Sequence, residues 1–107
     1  MKFMRIKKEF LNFILSGEKS LEVRVLYPNL KSIKPGDLIN MNNQAIIRVK
    51  DVRKYPSFKE MLSKENPARI LPGSCRKEVL RLLKKIYPPT KEKLGVLVLE
   101  VEPAEQV

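Results

Sequence analysis

The sequence predicts a single α+β domain, a β-barrel of about five strands with two to three flanking helices. Five segments have the apolar or alternating pattern of strands, and three have the helical periodicity of about 3.6 residues. They occur in the order β-α-β-β-β-α-α-β. The length of 107 residues and the hydrophobic content of 43% suit one domain with its own core. We therefore expect one domain over residues 1–103 and a frayed tail at residues 104–107.

The first elements are a strand over residues 1–6 and a helix over Lys8–Ser16, which has one apolar stripe. Gly17 is the usual kind of residue for ending a helix. A second strand follows at about residues 18–26. Because strand side chains alternate between faces, its core side is expected to consist of Leu21, Val23 and Val25.

A meander of two strands is predicted after a tight turn at residues 34–37, whose Pro-Gly pair fits the centre of a type II turn. The strands cover residues 38–41 and 45–52, and the asparagines at 42–43 form the tip between them. In the second of these strands, strict alternation would place on one face Ile47, Val49 and Asp51.

The C-terminal half is predicted to hold two helices and a closing strand. The first helix covers residues 57–64, and an irregular connection follows at residues 66–73. Ser74 is a good N-cap for a longer helix over residues 74–86. The apolar stripe of this helix is expected to be buried and consists of Val79, Leu80, Leu83 and Ile86. The apolar run at residues 95–101 has the length of a central strand.

The composition removes several classes of active site. The chain has no histidine, which excludes Ser-His and Cys-His nucleophile pairs and His-ligated metal centres. Cys75 is its single cysteine, so neither an internal disulfide nor a multi-cysteine zinc site is expected. We therefore expect no metal and no cofactor. Any acid–base chemistry would use Lys, Glu, Asp, Tyr or the thiol.

The charge distribution points to a polyanionic partner. The net charge is +10, and all 22 Lys and Arg residues lie within residues 1–93, before an acidic C-terminal end. A basic body of this kind favours RNA or DNA as the partner, and the simpler alternative is a merely soluble surface. No apolar run approaches the roughly 20 residues that span a bilayer, so we expect a cytoplasmic protein with no membrane partner. The sequence leaves the oligomeric state open.

Residues 17–24, Gly-Glu-Lys-Ser-Leu-Glu-Val-Arg, combine a turn glycine, two cations and a carboxylate. Glu22 and Arg24 share one strand face, about 6–7 Å apart along the chain. Lys19 lies at the entrance of the strand, so the three side chains are expected to converge. The simpler alternative is an exposed ion pair between Glu22 and Arg24, worth at most about 1 kcal/mol.

The spacing Gly-x-Lys-x-x-Glu-x-Arg, formed by Gly17, Lys19, Glu22 and Arg24, resembles the signature of the ASCH domain family, which has a PUA-like fold. The resemblance extends to the apolar segment before the motif and to the Ile-Tyr-Pro sequence at residues 86–88. It implies a cleft beside the motif that binds RNA or a nucleotide. In that cleft Lys19 would meet a phosphate or an exocyclic oxygen, and Glu22 would accept a hydrogen bond from a base amino group. Arg24 would hold Glu22 in place or grip a phosphate.

The chain also resembles, in part, small bacterial ASCH proteins that hydrolyse the amide of N4-acetylcytidine. This resemblance makes an amidohydrolase the alternative to a binding protein, with Lys19 and Glu22 as catalytic residues. Glu22 stands where that branch has a threonine nucleophile, so Glu22 would instead act as general base on a water molecule. The downstream acid of that branch falls between Glu65 and Glu78. Whether the chain is an enzyme stays open at this point.

Four further residues are candidates for nucleic-acid contact. Arg53 and Tyr55 place a cation beside an aromatic ring, a pattern that can hold phosphate and stack a base. The alternative is that Tyr55 packs in the core. Backbone N–H groups near Ser74 could hold one phosphate at the start of the last helix, beside Arg76. The alternative there is a solvated basic helix face.

Overall fold

The computed structural model describes residues 1–104 and contains one five-stranded β-sheet that curls into a half-barrel. The predicted α+β class and PUA-like strand number are confirmed. The strands are β1 (Lys2–Met4), β2 (Leu21–Val25), β3 (Leu38–Met41), β4 (Ala45–Tyr55) and β5 (Val96–Pro103). The helices are α1 (Lys8–Ser16), α2 (Phe58–Lys64), α3 (Pro67–Ile70), α4 (Arg76–Ile86) and α5 (Pro89–Glu92), and a 3-10 turn covers Pro28–Leu30.

The strand order places the motif at an edge of the sheet. The order is β1-β3-β4-β5-β2, with β1 parallel to β3 and all other neighbours antiparallel. β2 therefore has β5 on one side and no strand on the other. Arg24 in β2 donates from Nη2 to the carbonyl of Arg5, just after β1, at 2.7 Å. This bond crosses the open side of the half-barrel, where the motif lies.

Each face of the sheet buries its own core. One core packs α1 on the sheet and includes Leu11, Ile14 and Leu99. The other packs α2 and α4 on the opposite face and includes Phe58, Val79 and the predicted core residues of the motif strand, Leu21, Val23 and Val25. Burying a side chain of this size contributes about 1.5–3 kcal/mol. The opposite, α1-side face of β2 consequently carries Glu22 and Arg24.

A β-bulge changes the alternation predicted for β4. The register runs from Val49 opposite Val101 to Asp51 opposite Glu100, so Lys50 is the extra residue. After the bulge the side chains point to the opposite faces from those that strict alternation gives. The prediction that Asp51 shares a face with Val49 is therefore wrong. Asp51 lies instead on the face of Arg53, which donates to it at 2.7 Å.

The connections are more ordered than predicted. The segment expected to be irregular contains α3, and a further short helix, α5, follows the double proline. Ser74 is not the N-cap of α4, because its N–H is bonded to the Leu71 carbonyl at 3.1 Å within a turn. Cys75 takes the N-cap position, and its N–H donates to the Glu78 carboxylate at 3.0 Å. Ala104, expected to begin a frayed tail, is buried; residues 105–107 lie outside the described part.

The predicted turns form as expected where backbone geometry requires special residues. Gly17 ends α1 with φ 86°, and Gly36 has φ 93° in the turn before β3. Asn42 and Asn43 both have positive φ, 59° and 58°, at the tip of the β3–β4 hairpin.

Candidate functional site

Lys19, Glu22 and Arg24 meet in one cluster at the start of β2. The left-handed Gly17 turns the chain directly from α1 toward β2, which brings Lys19 back beside the strand face that carries the other two residues. Lys19 Nζ lies 3.1 Å from Glu22 Oε1, and Arg24 Nε lies 2.6 Å from Glu22 Oε2. The carboxylate is therefore held between two cations, one on each oxygen.

The ammonium group of Lys19 is enclosed and fully engaged. Besides Glu22, it donates to the carbonyls of Leu21 and Ile70, both at 2.7 Å. It also lies 5.9 Å from the ring centroid of Phe10. With three acceptors for three hydrogens and only 4% exposure, Lys19 acts as a fixed cation that joins α3 to the motif strand.

Glu22 stays ionised at neutral pH despite being 6% exposed. Burial alone would raise the pKa of its carboxyl group. The charges of Lys19 and Arg24, and their hydrogen bonds, outweigh burial and hold that pKa below its usual value. Glu22 is thus a preorganised anion that accepts hydrogen bonds and has no proton to give.

A pocket of about 260 Å³ opens directly beside this cluster. Its floor is formed by the motif strand, with Lys19, Glu22, Val23 and Arg24. One wall comes from the segment between β1 and α1 and from α1 itself, and consists of Arg5, Ile6, Lys7 and Phe10. The opposite wall comes from α3 and α4 and their flanks, and consists of Ile70, Leu71, Val79, Leu82, Leu83, Ile86 and Tyr87. The site is an apolar slot with a charged floor.

The α4 wall is the part of the site that the sequence reading missed. The apolar stripe of this helix was interpreted as core, yet Ile86 is 49% exposed and both it and Leu82 face the pocket. Tyr87 closes the end of this wall and stacks at a tilt on Phe58, with ring centroids 5.9 Å apart. Burial raises the pKa of the Tyr87 hydroxyl, which lies close to the Val25 backbone. The sequence pattern does not separate Ile86 from a core residue of the same helix, and only its exposure in the structure reveals this wall.

Arg53 and Tyr55 lie in a second ionic cluster, which is outside this pocket. Arg53 makes a two-pronged contact with Glu65, at 2.6 and 2.9 Å, and also donates to Asp51 and Glu100. Tyr55 donates its hydroxyl hydrogen to the same Glu65. The hydrogen bond to Glu65 raises the pKa of Arg53, and burial together with that carboxylate raises the pKa of Tyr55. Both side chains are thus held by neighbouring groups of the fold.

The remaining candidates are also placed away from the pocket. Arg76 donates from Nε to the Leu62 carbonyl at 2.8 Å, and Ser74 lies in the turn before α4. Of the two glutamates considered as a downstream acid, Glu65 belongs to the second ionic cluster and Glu78 caps α4. Neither lines the pocket. The prediction of nucleic-acid contact by Arg53, Tyr55, Ser74 and Arg76 therefore stays a prediction, and it concerns surfaces outside the pocket.

Within residues 1–104, no group of three or more acidic, cysteine or histidine side chains is arranged to hold a metal ion. None of the helices in the same range has the length and apolar character needed to cross a membrane.

Comparisons with known proteins give one family match and several similar structures. The family model of the ASCH domain matches residues 4–105. The crystal structure of hypothetical protein PH0355 is 36% identical, with a TM-score of 0.91, over 97% of this chain and 100% of its own. Protein PF0455 from Pyrococcus furiosus is 37% identical over 98% of each chain, with a TM-score of 0.81. Protein EF3133 from Enterococcus faecalis, 18% identical over 87% of this chain and 68% of its own (TM-score 0.57), is alike in fold alone. No curated protein matches.

Proposed function

The chain belongs to the ASCH domain family, whose members are generally RNA-binding, and we propose that its pocket binds a nucleobase of RNA or of a modified nucleoside. One observation carries the proposal: an ionised carboxylate, Glu22, is fixed between two cations on the floor of a slot whose walls are largely apolar. A nucleobase matches that arrangement, because it has flat apolar faces and hydrogen-bond donors along its edge. Glu22 accepts a hydrogen bond from a base amino group.

The size of the pocket suits one base. At about 260 Å³ it is slightly smaller than the roughly 300–1,000 Å³ of pockets for drug-sized ligands. Phe10 on one wall and Ile86 with Tyr87 on the other provide surfaces on which a ring packs. We therefore expect a single nucleoside, rather than a base pair or a dinucleotide, to fill the slot.

The mouth of the pocket carries the positive charge that a phosphate backbone requires. Arg5 and Lys7 line the pocket and are exposed, and the chain as a whole has a net charge of +10. Lys19 and Arg24 hold the Glu22 carboxylate in place, because their charges are already paired with it. We assign the base to the floor residues and the phosphates to the exposed cations at the rim.

The geometry favours binding over hydrolysis of an acylated nucleoside. A general base works best with a pKa near the operating pH, but Lys19 and Arg24 lower the pKa of the Glu22 carboxyl. Lys19 already has three acceptors for its three ammonium hydrogens, so none of them is free to engage a substrate. Within the described residues, Glu65 and Glu78 do not line the pocket to serve as an acid.

The proposal is tested by filling the pocket without touching its charges. Leu82→Trp places an indole in the slot, and Leu94→Trp adds the same group at an exposed position that does not line it. Calorimetric titration with cytidine and adenosine, and anisotropy with a labelled single-stranded RNA, measure binding. We expect Leu82→Trp to abolish nucleoside binding while Leu94→Trp binds like the wild type. Equal binding by both variants, or no binding by the wild type, would overturn the proposal.

Hydrolysis is checked on the same protein. N4-acetylcytidine is incubated with wild type and Glu22→Gln, and conversion to cytidine is followed chromatographically. We expect no turnover by either protein. Turnover that disappears in Glu22→Gln would make the amidohydrolase the correct function of this pocket.

A further inference from the structure

The outer edge of β2 carries backbone groups that face the pocket. In the antiparallel pair of β2 and β5, the N–H of Val101 donates to the carbonyl of Ser20, and the N–H of Leu26 donates to the carbonyl of Gly95, both at 2.9 Å. These bonds show that the even-numbered residues of this stretch point their backbone groups toward β5. The N–H and C=O groups of Leu21, Val23 and Val25 therefore point away from β5, beyond the sheet edge.

The backbone carbonyls on either side of Val23 at this edge already accept hydrogen bonds from nearby residues. The carbonyl of Leu21 accepts from Lys19, and the carbonyl of Val25 accepts from the N–H of Tyr27 at 2.8 Å. The Val25 backbone also has the hydroxyl of Tyr87 as a hydrogen-bond partner. Across residues 1–104, the hydrogen bonds found outside the ladder include none to the N–H or C=O of Val23. Val23 is 6% exposed and lines the pocket, so this pair of groups is a vacant donor and acceptor inside the site.

An extended residue presents its N–H and C=O side by side, and the same molecule shows what binds such a pair. The side-chain amide of Asn42 accepts from the N–H of Ile6 at 2.9 Å and donates to the carbonyl of Ile6 at 2.7 Å. A planar group with an adjacent acceptor and donor is therefore complementary to the backbone pair of one residue. Nucleobases carry such an edge.

We propose that the backbone N–H and C=O of Val23 form hydrogen bonds with the edge of the bound base, and that Glu22 determines which base is bound. This inference rests on the proposed function and names the base class. A ring nitrogen accepts from the N–H of Val23, and the adjacent amino group donates one hydrogen to the carbonyl of Val23. The second amino hydrogen is accepted by Glu22. Cytosine and adenine have this combination of ring nitrogen and amino group.

Glu22 is the group that we expect to discriminate against uracil. Uracil also has an adjacent donor and acceptor, so Val23 alone would accept it in a reversed orientation. It has no amino group, however, and would turn a carbonyl oxygen toward the ionised Glu22 carboxylate. A buried acceptor left without a donor is costly, so we expect cytidine to bind at least about tenfold more tightly than uridine.

The test uses wild-type protein, which avoids any question of misfolding. Titration of ¹⁵N-labelled protein with cytidine is followed by amide NMR, and affinities are compared for cytidine, uridine, N4,N4-dimethylcytidine and 5-methylcytidine. We expect the Val23 amide proton to shift downfield and exchange more slowly on binding. The amide of Val98, which lies opposite Val23 in β5 and faces β4, should not change. N4,N4-dimethylcytidine, which lacks both amino hydrogens, should bind at least about tenfold more weakly, and 5-methylcytidine should bind like cytidine.

The outcomes separate this inference from the proposed function. If nucleosides compete with one another at the pocket but the Val23 amide is unchanged and the dimethyl analogue binds like cytidine, the backbone reading is wrong and the pocket stands. If neither nucleosides nor RNA bind, both proposals are overturned. Equal affinity for cytidine and uridine would overturn the selection by Glu22.

Discussion

Among residues 1–104, two buried glutamates look alike by charge and differ in their surroundings. Glu22 is held by Lys19 and Arg24, and Glu65 is held by Arg53 and Tyr55. Burial tends to raise the pKa of each carboxyl, and in each case the neighbouring partners bring the pKa below its usual value. By electrostatics alone, either cluster would be a candidate site.

The difference is what lies beyond each carboxylate. Glu22 faces a pocket with largely apolar walls and a sheet edge where, among residues 1–104, the backbone N–H and C=O of Val23 have no hydrogen-bond partner. Glu65 lies at the C-cap of α2, and its partner Arg53 is also bonded to Asp51 and Glu100. The second cluster therefore ties α2 to β4 and β5, and its charges are satisfied internally. A buried ion pair marks a site only where a cavity gives a ligand access to it.

The largest expected effect comes from removing the cation of the first cluster. Lys19→Met leaves Glu22 with one partner and the Leu21 and Ile70 carbonyls without their donor. We expect a loss of about 3–5 kcal/mol in the free energy of unfolding, measured by urea denaturation. Lys8→Met, at an exposed position of α1, is the control and should change stability by less than about 0.5 kcal/mol. If Lys19→Met left the free energy of unfolding nearly unchanged, the Lys19 ammonium group would not stabilise the start of β2.

The comparison is sharpened by the same substitution in both clusters. Glu22→Gln should weaken cytidine binding at least about tenfold, or about 1.4 kcal/mol, because the anionic acceptor on the pocket floor is lost. Glu65→Gln should lower stability by about 1–3 kcal/mol through its lost bonds, with cytidine affinity unchanged within about twofold. Calorimetry and urea denaturation on both variants give the answer. The reverse pattern would make the Arg53 cluster the binding site.

Acid should distinguish the ionised Glu22 from an ordinary surface glutamate. Its pKa is lower in the folded protein than the usual value of 4.5, so the unfolded chain binds its proton first as pH falls. The stabilisation is complete above about pH 5 and is lost as pH falls from there through the folded pKa. Glu22→Gln should therefore lose less stability than wild type between about pH 5 and pH 3.

The acid experiment has a matched control in Glu18→Gln, a substitution of an exposed glutamate just before the motif strand. Glu18→Gln should keep the wild-type dependence of unfolding free energy on pH. If Glu22→Gln also kept it, the carboxylate would not be stabilised by Lys19 and Arg24.

The smallest effect is expected at the rim. Arg5→Ala keeps the backbone carbonyl that Arg24 uses and removes an exposed charge, together with its contact to the Phe3 ring. RNA binding should weaken, and the slope of log affinity against log salt should fall by about 0.7 per lost phosphate contact. Cytidine affinity should not change, because the nucleoside has no phosphate. A loss of cytidine affinity equal to the loss of RNA affinity would place Arg5 on the base instead.

The convergence of the motif could be predicted because it depends on local rules. Strand alternation puts Glu22 and Arg24 on one face, and Gly17 ends α1 so that Lys19 begins the return. The same rules gave the hairpin tip at Asn42 and Asn43, where both residues adopt positive φ. These features depend on a few neighbouring residues, and no distant contact overrides them.

The rest depends on contacts between distant segments. The bulge at Lys50 adjusts β4 to β5, and nothing within β4 alone signals it. The apolar face of α4 looks the same whether it fills a core or lines a cavity, so the sequence pattern predicts burial for Ile86, which lines the pocket instead. Arg53 and Tyr55 form a pattern typical of nucleic-acid contact, and only the position of Glu65 shows that they are engaged elsewhere.

The most direct test of the account is a crystal structure of the protein grown with cytidine. We predict the cytosine ring in the slot between Phe10 and α4, with its amino group within hydrogen-bond distance of the Glu22 carboxylate. Cytidine bound at Arg53 and Tyr55, with the pocket beside the motif unfilled, would contradict the central claim.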